Sequence, residues 1–63
     1  MKRSFYIRAA IAPALGDVRC VKAGDTIYLS PDAPQRADWT RYVDAIACAI
    51  AQGANVQWVR EGQ

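Results

Sequence analysis

Four side chains in this 63-residue sequence have types and spacings that suggest chemistry. Tyr6 and Arg8 alternate along one segment, and Arg19 and Tyr28 lie on later segments with the alternation of strands. Aromatic rings can stack on unpaired bases while guanidinium groups neutralise phosphates. The same residue types are favoured at the energetic centres of protein interfaces. We therefore expect these residues to bind a macromolecule non-covalently.

Catalysis is not expected, because the chain contains no histidine. The most common general base is missing, and neither a Cys-His pair nor a Ser-His-Asp triad can be built. The aspartates fall at predicted turns, helix starts or exposed helix positions, which is typical of turn formers and caps. They are Asp17, Asp25, Asp32, Asp38 and Asp44. We expect a non-enzymatic protein without catalytic residues.

Metal and cofactor sites are not expected either. Cys20 and Cys48 lie far apart, with no second cysteine pair or histidine to complete a zinc site. We expect both to be small buried side chains, and we leave open whether they form a disulfide. The glycines are scattered and form no phosphate-binding loop. We therefore expect no cofactor and no small-molecule substrate.

The composition predicts one small domain with a thin core. Hydrophobic residues make up 52% of the chain, but many of them are alanines, and the net charge is +2. A chain of this length buries only about 60% of its unfolded surface. We expect one compact domain over residues 1–63, with residues 1–4 and 61–63 frayed. A protein partner or a second copy in a homodimer would add the missing burial.

No segment of the sequence predicts export or membrane insertion. No apolar run approaches the roughly 18 residues that a membrane span needs. The basic start could begin a signal peptide, but Arg8 and Pro13 interrupt the apolar segment that follows. We expect a cytoplasmic protein that does not contact membranes.

Apolar spacing and turn residues predict four strands and one helix. Residues 5–12 alternate between a core face and a mixed face, which predicts the first strand. Residues 18–23 and 26–29 predict a hairpin around Gly24-Asp25. Residues 56–60 predict a short last strand.

The helix is expected to begin at either of two candidate caps, within residues 30–34 or at Asp38, and to end at Gly53, since glycine readily adopts the left-handed conformation that ends helices. Its apolar stripe is formed by Trp39, Tyr42, Val43, Ile46 and Ile50. Arg41 and Asp44 fall on the opposite side, where they form a secondary candidate patch for a partner.

These elements predict an α+β fold in the order β-β-β-α-β, with a four-stranded, mostly antiparallel sheet and one amphipathic helix packed on one face. The last strand is expected to run parallel to the strand before the helix, and to lie beside either that strand or the first. The other sheet face and two sheet edges are left open to another chain. The open side is expected to carry Tyr6, Arg8, Arg19, Val21, Tyr28, Gln57 and Val59.

The leading functional prediction is a protein-binding module that acts by steric occlusion of a macromolecular partner. Small size and a composition rich in Ala and Arg, without catalytic equipment, suggest a phage or mobile-element inhibitor of a host protein. Inhibitors of CRISPR effectors are one such group. The expected partner-binding residues are Tyr6, Arg8, Arg19, Tyr28, Arg41 and Asp44.

The alternative prediction is a small single-stranded nucleic-acid-binding protein that uses the same sheet face. Residues 1–22 carry five basic and one acidic side chain, a net +4, which would favour phosphates. However, the overall charge is modest, and the aromatic-glycine signature of the common RNA-binding sheet is absent. A third hypothesis, an accessory subunit of a larger complex, shares the predictions of the first.

Overall fold

Three parallel strands and two helices of unequal length form the fold. The computed structural model describes residues 2–59. In chain order the elements are β1 (Ser4–Ile7), α1 (Leu15–Arg19), β2 (Thr26–Leu29), a 3₁₀ turn (Ala33–Gln35), α2 (Trp39–Ala51) and β3 (Asn55–Trp58). Of the ends predicted to fray, Met1 and residues 61–63 lie outside the described residues.

The sheet has the strand order β1-β2-β3, and both neighbouring pairs are parallel. The prediction of a four-stranded, mostly antiparallel sheet is therefore wrong. The expected parallel direction of the last strand relative to the strand before the helix is confirmed, and of the two positions left open β3 takes the one beside β2. Parallel neighbours need a crossover connection, because one strand ends at the opposite edge from where the next begins. The connection through α1 joins β1 to β2, and the connection through α2 joins β2 to β3.

The segment predicted as the second strand instead forms the end of α1 and a turn. Val18 and Val21 are both 0% exposed, and the Val21 N–H donates to the Val18 carbonyl (3.3 Å). A spacing of three puts both side chains on one side of a helical turn, whereas a strand would put them on opposite faces. Gly24 has φ = 95°, in a turn that leads into β2. The predicted hairpin was wrong because the apolar residues of 18–23 fit the alternation of a strand as well as the spacing of a helical turn.

The buried carboxylate of Asp25 joins that turn to the start of β1. Its oxygens accept hydrogen bonds from the backbone N–H groups of Arg3 (2.9 Å) and Lys22 (3.1 Å). The Arg3 guanidinium lies 3.7 Å away. The hydrogen bond from Lys22, followed by that from Arg3, lowers the pKa of Asp25. Asp25, which was expected at the corner of a hairpin, therefore joins the turn before β2 to the start of β1.

The residues after β1 leave the sheet earlier than predicted. The strand ends at Ile7, and the Arg8 N–H donates to the Ile11 carbonyl (2.8 Å). Ile11 was expected in the core, but it is 72% exposed. The apolar contribution of β1 therefore comes from Phe5 and Ile7.

The helix α2 packs through a face that is richer in alanine than predicted. Its buried residues are Tyr42, Ala45, Ile46 and Ala49. Small side chains allow close packing against α1 and the sheet, and the Tyr42 hydroxyl donates to the Pro13 carbonyl (2.6 Å). Val43 and Ile50 are 43% and 55% exposed. The predicted apolar stripe is therefore rotated, and only part of it faces the core.

The helix α2 ends as predicted, at a left-handed glycine. Gly53 has φ = 95°, and its N–H donates to the Ile50 carbonyl (2.9 Å). A Cβ at this position would lie 3.1 Å from the Cβ of Ala23. Gly53 therefore allows both the turn into β3 and a close approach to the segment before β2.

Candidate functional site

The sheet face turned away from the two helices is a polar surface with two tyrosines. Successive side chains point to opposite faces of a strand, so the buried Ile7, Ile27 and Leu29 face the helices. The parallel register aligns the outward residues in two rows. One row is Ser4, Thr26 and Asn55, and the other is Tyr6, Tyr28 and Gln57. These six residues, with Arg8 just beyond β1, are called the open face below.

Tyr6 and Tyr28 form a stacked pair on the open face. They are direct neighbours on β1 and β2. Their ring centroids are 6.0 Å apart, and the ring planes differ by 30°. An aromatic pair of this kind contributes about 0.5–1.5 kcal/mol beyond simple burial. The pair is therefore an ordered aromatic platform before any partner binds.

Arg8 adds a cation to this platform. Its guanidinium carbon lies 4.4 Å from the centre of the Tyr6 ring, within the range of a cation–π interaction. Asp32 is a nearby acidic group, and its pKa is lowered first by a hydrogen bond from the Ser30 hydroxyl and more weakly by the charge of Arg8. Arg8 itself is exposed. The open face therefore presents an oriented, solvent-accessible cation beside two aromatic rings.

Arg19 and Val21 were expected on this face, and both expectations are wrong. Arg19 lies in the last turn of α1, and Val21 is fully buried in the core. Both placements depended on a strand over residues 18–23, which is replaced by α1 and its following turn. Of the two arginines predicted for the sheet face, Arg8 is the one found there.

Arg41 and Asp44 lie on the helical layer, away from the open face. Both are exposed on α2. Arg41 also lines an open depression of about 560 Å³ together with Ala9, Arg36 and Asp38. The sequence predicted these two residues as a secondary patch, and the structure does not bring them together with the tyrosines.

Arg36 is the most connected side chain in this depression, and the sequence analysis did not identify it. Its Nε donates to an Asp38 carboxylate oxygen (2.9 Å), and one terminal nitrogen donates to the carbonyls of Arg8 (2.9 Å) and Ala9 (3.2 Å). The guanidinium also lies 5.1 Å from the centre of the Tyr42 ring. The hydrogen bond from Arg36 lowers the pKa of Asp38. Arg36 therefore links the segment after β1 to the start of α2, a role that only the folded arrangement reveals.

Neither cysteine behaves as predicted. Cys20 and Cys48 are both unbridged and exposed, so the expectation of two buried side chains is wrong. Across residues 2–59, no group of three or more His, Cys, Asp or Glu side chains is placed to hold a metal ion. In the same residues, no helix has the length and apolar character that crossing a membrane requires.

Three comparisons with known proteins return no match. Neither protein-family models, nor curated proteins, nor solved structures match this chain.

The open face also contains residues that the sequence analysis did not name as site residues. Ser4, Thr26 and Asn55 form a neutral polar row beside the tyrosines. Their alternation with apolar residues was visible in the sequence, but their alignment depends on the parallel register. Together the two rows and Arg8 offer stacking, hydrogen bonding and one positive charge, which is chemistry suited to binding.

Proposed function

We propose that this chain is a non-enzymatic, cytoplasmic protein-binding module that covers a surface of a larger protein with its open face. One observation carries the proposal. The stacked Tyr6 and Tyr28 rings, with Arg8 over Tyr6, lie on the sheet face opposite the buried residues that pack on the helices, and both rings are partly exposed.

The residue types of the open face support this function. Tyr and Arg are common hot-spot residues in protein interfaces, and tyrosine provides a large contact area at a low entropic cost. The stacking of Tyr6 on Tyr28 orders both rings in advance, so binding loses less side-chain freedom. The neutral residues around them can form hydrogen bonds without the desolvation penalty of a buried charge.

The distribution of charge favours a protein over a nucleic acid. A single-stranded nucleic acid needs cations along the path of its phosphates as well as aromatic rings for its bases. Arg8 supplies one such cation, but Arg19 lies on α1, and Arg3 is engaged with Asp25. Because stacked tyrosines also suit unpaired bases, binding of single-stranded nucleic acid is the competing hypothesis.

A domain of this size would inhibit its partner by steric occlusion if it occupied a functional surface. That the partner is a host protein, such as a CRISPR effector blocked by a phage or mobile-element product, stays a prediction from size and composition. Co-expression with a CRISPR interference reporter tests it. An inhibitor would relieve interference, and a variant with Arg8→Glu and Tyr28→Ala would not.

The test of the binding function is quantitative affinity capture with a matched pair of charge reversals. Arg8→Glu changes the open face, and Arg19→Glu makes the same charge change on α1. The captured partner should be depleted at least tenfold by Arg8→Glu and by Tyr28→Ala, and retained by Arg19→Glu. Circular dichroism of each variant checks that the fold is intact.

Two results would contradict the proposal. The first is a partner retained equally by the Arg8 and Arg19 variants. The second is binding of a labelled single-stranded oligonucleotide that weakens steeply with salt and is lost in Tyr28→Ala, which would identify the nucleic-acid hypothesis as correct.

A further inference from the structure

The outer edge of β3 has backbone hydrogen-bonding groups without a partner among residues 2–59. The N–H groups of Asn55 and Val59 donate inward, to the carbonyls of Asp25 (2.9 Å) and Leu29 (2.7 Å). Successive residues of a strand direct these groups to opposite sides. The N–H and C=O groups of Val56 and Trp58 therefore face the outer edge.

A stripe of exposed apolar side chains lies beside this edge. Trp39, Val43 and Ile50 are spaced so that they share one side of α2. The Trp39 ring lies 6.2 Å from the ring of Trp58 on β3, which places this side of the helix over the edge strand. Val43, Ile50 and Trp58 are 43%, 55% and 56% exposed. These four residues are called the edge stripe below.

Within Asn55–Trp58, the β3 edge lacks the features that protect unpaired strands. Charged side chains and proline commonly prevent edge strands from pairing. Asn55–Trp58 contains neither, whereas β1 is flanked by Arg3 and Arg8. An uncharged edge strand can pair with another uncharged edge strand without charge repulsion, and a second copy of β3 provides one.

The edge stripe and the paired strand backbones together approach the area of a small dimer interface. A fully buried tryptophan covers about 150–250 Å² and the smaller Val and Ile less, so the exposed parts of the stripe amount to roughly 300 Å² per copy. Two copies would remove about twice that area from water. Paired strand backbones and flanking side chains bring the total near the roughly 1,000 Å² that specific interfaces need.

We propose that the β3 edge and the edge stripe bind a second copy of this chain, in an antiparallel pairing with its two-fold axis at Gln57. Val56 of each copy then exchanges both backbone hydrogen bonds with Trp58 of the other, and the two Gln57 residues face each other. Each Trp58 packs against the edge stripe of the other copy. The two three-stranded sheets become one six-stranded sheet with both open faces on the same side.

The first experiment measures mass in solution for the full chain by sedimentation equilibrium. The mass should approach twice 6.9 kDa as concentration rises, and Ile50→Lys should return it to the monomer value. Ala51→Lys is the matched control, because it adds the same charge to the next residue, which points away from the stripe. A monomeric mass at every concentration up to about 1 mM overturns the proposal, because only a very weak dimer would remain undetected at that concentration.

The second experiment locates the two-fold axis by disulfide trapping in a Cys20→Ser, Cys48→Ser background. Residues at a non-hydrogen-bonded antiparallel pair have Cα atoms about 4.5 Å apart, within the range that a disulfide spans. Gln57→Cys should therefore form a crosslinked dimer at least tenfold faster than Asn55→Cys, which lies on the same face but away from the axis. Equal rates for the two variants, or faster crosslinking of Asn55→Cys, would show that any dimer forms elsewhere.

Discussion

At the scale of single residues, Asp25 shows how a polar side chain can be part of the core. It is 3% exposed, and its carboxylate accepts backbone hydrogen bonds from the nearby Lys22 and from Arg3, which is 22 residues away in sequence. A buried carboxylate without such partners would be costly. The same hydrogen bonds that make burial tolerable also favour the ionised form.

The lowered pKa of Asp25 predicts acid sensitivity. A carboxyl group whose pKa in the folded state lies below its ordinary value of 3.8 stabilises the fold fully above that value. The stabilisation is lost as pH falls from about 4 toward the folded-state pKa. Thermal unfolding followed between pH 7 and pH 3 should show the melting temperature falling mainly below pH 4.

Replacement of the same residue separates the carboxylate from general acid effects. Asp25→Asn keeps one acceptor oxygen but places an NH₂ group against one of the two backbone N–H donors. The variant should melt several degrees lower at pH 7 and lose less stability on acidification than the wild type. Asp44→Asn, an exposed change on α2, is the control. Parallel pH profiles for wild type and Asp25→Asn would contradict the role assigned to this carboxylate.

At the scale of elements, the two helices differ in how strongly local sequence defines them. The helix α2 has thirteen residues and a left-handed glycine after its end. The helix α1 has five residues, and helices this short are stable only through tertiary packing. Val18 provides that packing, because it is fully buried against the core.

A pair of glycine substitutions tests this difference. Around Gly16 in α1 there is room for a side chain, since no atom outside its own helix and its neighbouring residues lies within 4 Å of its ideal Cβ position. In contrast, Gly53 has φ = 95°, and a Cβ at this position would lie 3.1 Å from the Cβ of Ala23. Gly16→Ala should stabilise the protein by about 0.5–1 kcal/mol, because alanine restricts the unfolded chain and favours helix. Gly53→Ala should destabilise it by about 1–2 kcal/mol. Urea denaturation measures both, and a destabilised Gly16→Ala variant would mean that α1 is not helical at this position.

At the scale of the whole molecule, the thin core and the exposed surfaces both result from a sheet that helices cover on one face only. Two helices cover one face of a three-stranded sheet, and the outer edge of β3 has no partner strand among residues 2–59. The apolar side chains of α2 are divided between the core and the edge stripe. Small domains often gain the burial they lack by association, and the open face and the edge stripe provide two separate surfaces for it.

If the chain dimerises through the edge stripe, its thermal stability should depend on protein concentration. Binding to a second copy stabilises the folded state by mass action. The melting temperature should rise by a few degrees for each tenfold increase in protein concentration, and Ile50→Lys should remove the dependence. Differential scanning fluorimetry at about 5, 50 and 500 μM measures this, since that range spans the affinities usual for small interfaces. A wild-type melting temperature that does not change across this range would argue against the dimer.

The sequence by itself determined features that depend on neighbouring residues. The strand over residues 26–29, the helix after Trp39, its end at Gly53, and the shared outward side of Tyr6 and Tyr28 all follow from local period and turn chemistry. Composition also excluded every histidine-based mechanism.

Only the tertiary structure decided how these pieces combine. Parallel pairing of β1 with β2 replaced the predicted hairpin, so residues 15–19 became a crossover helix and Arg19 left the sheet. The side of α2 that is buried depends on packing with distant segments. The hydrogen bond from Arg3 to Asp25 and that from Arg36 to the Arg8 carbonyl each join residues more than twenty positions apart. Local periodicity cannot report such contacts, because their free energy is gained only when distant segments pack together. The residues that could bind a partner were thus visible in the sequence, but the surface they share was set by the register of three parallel strands.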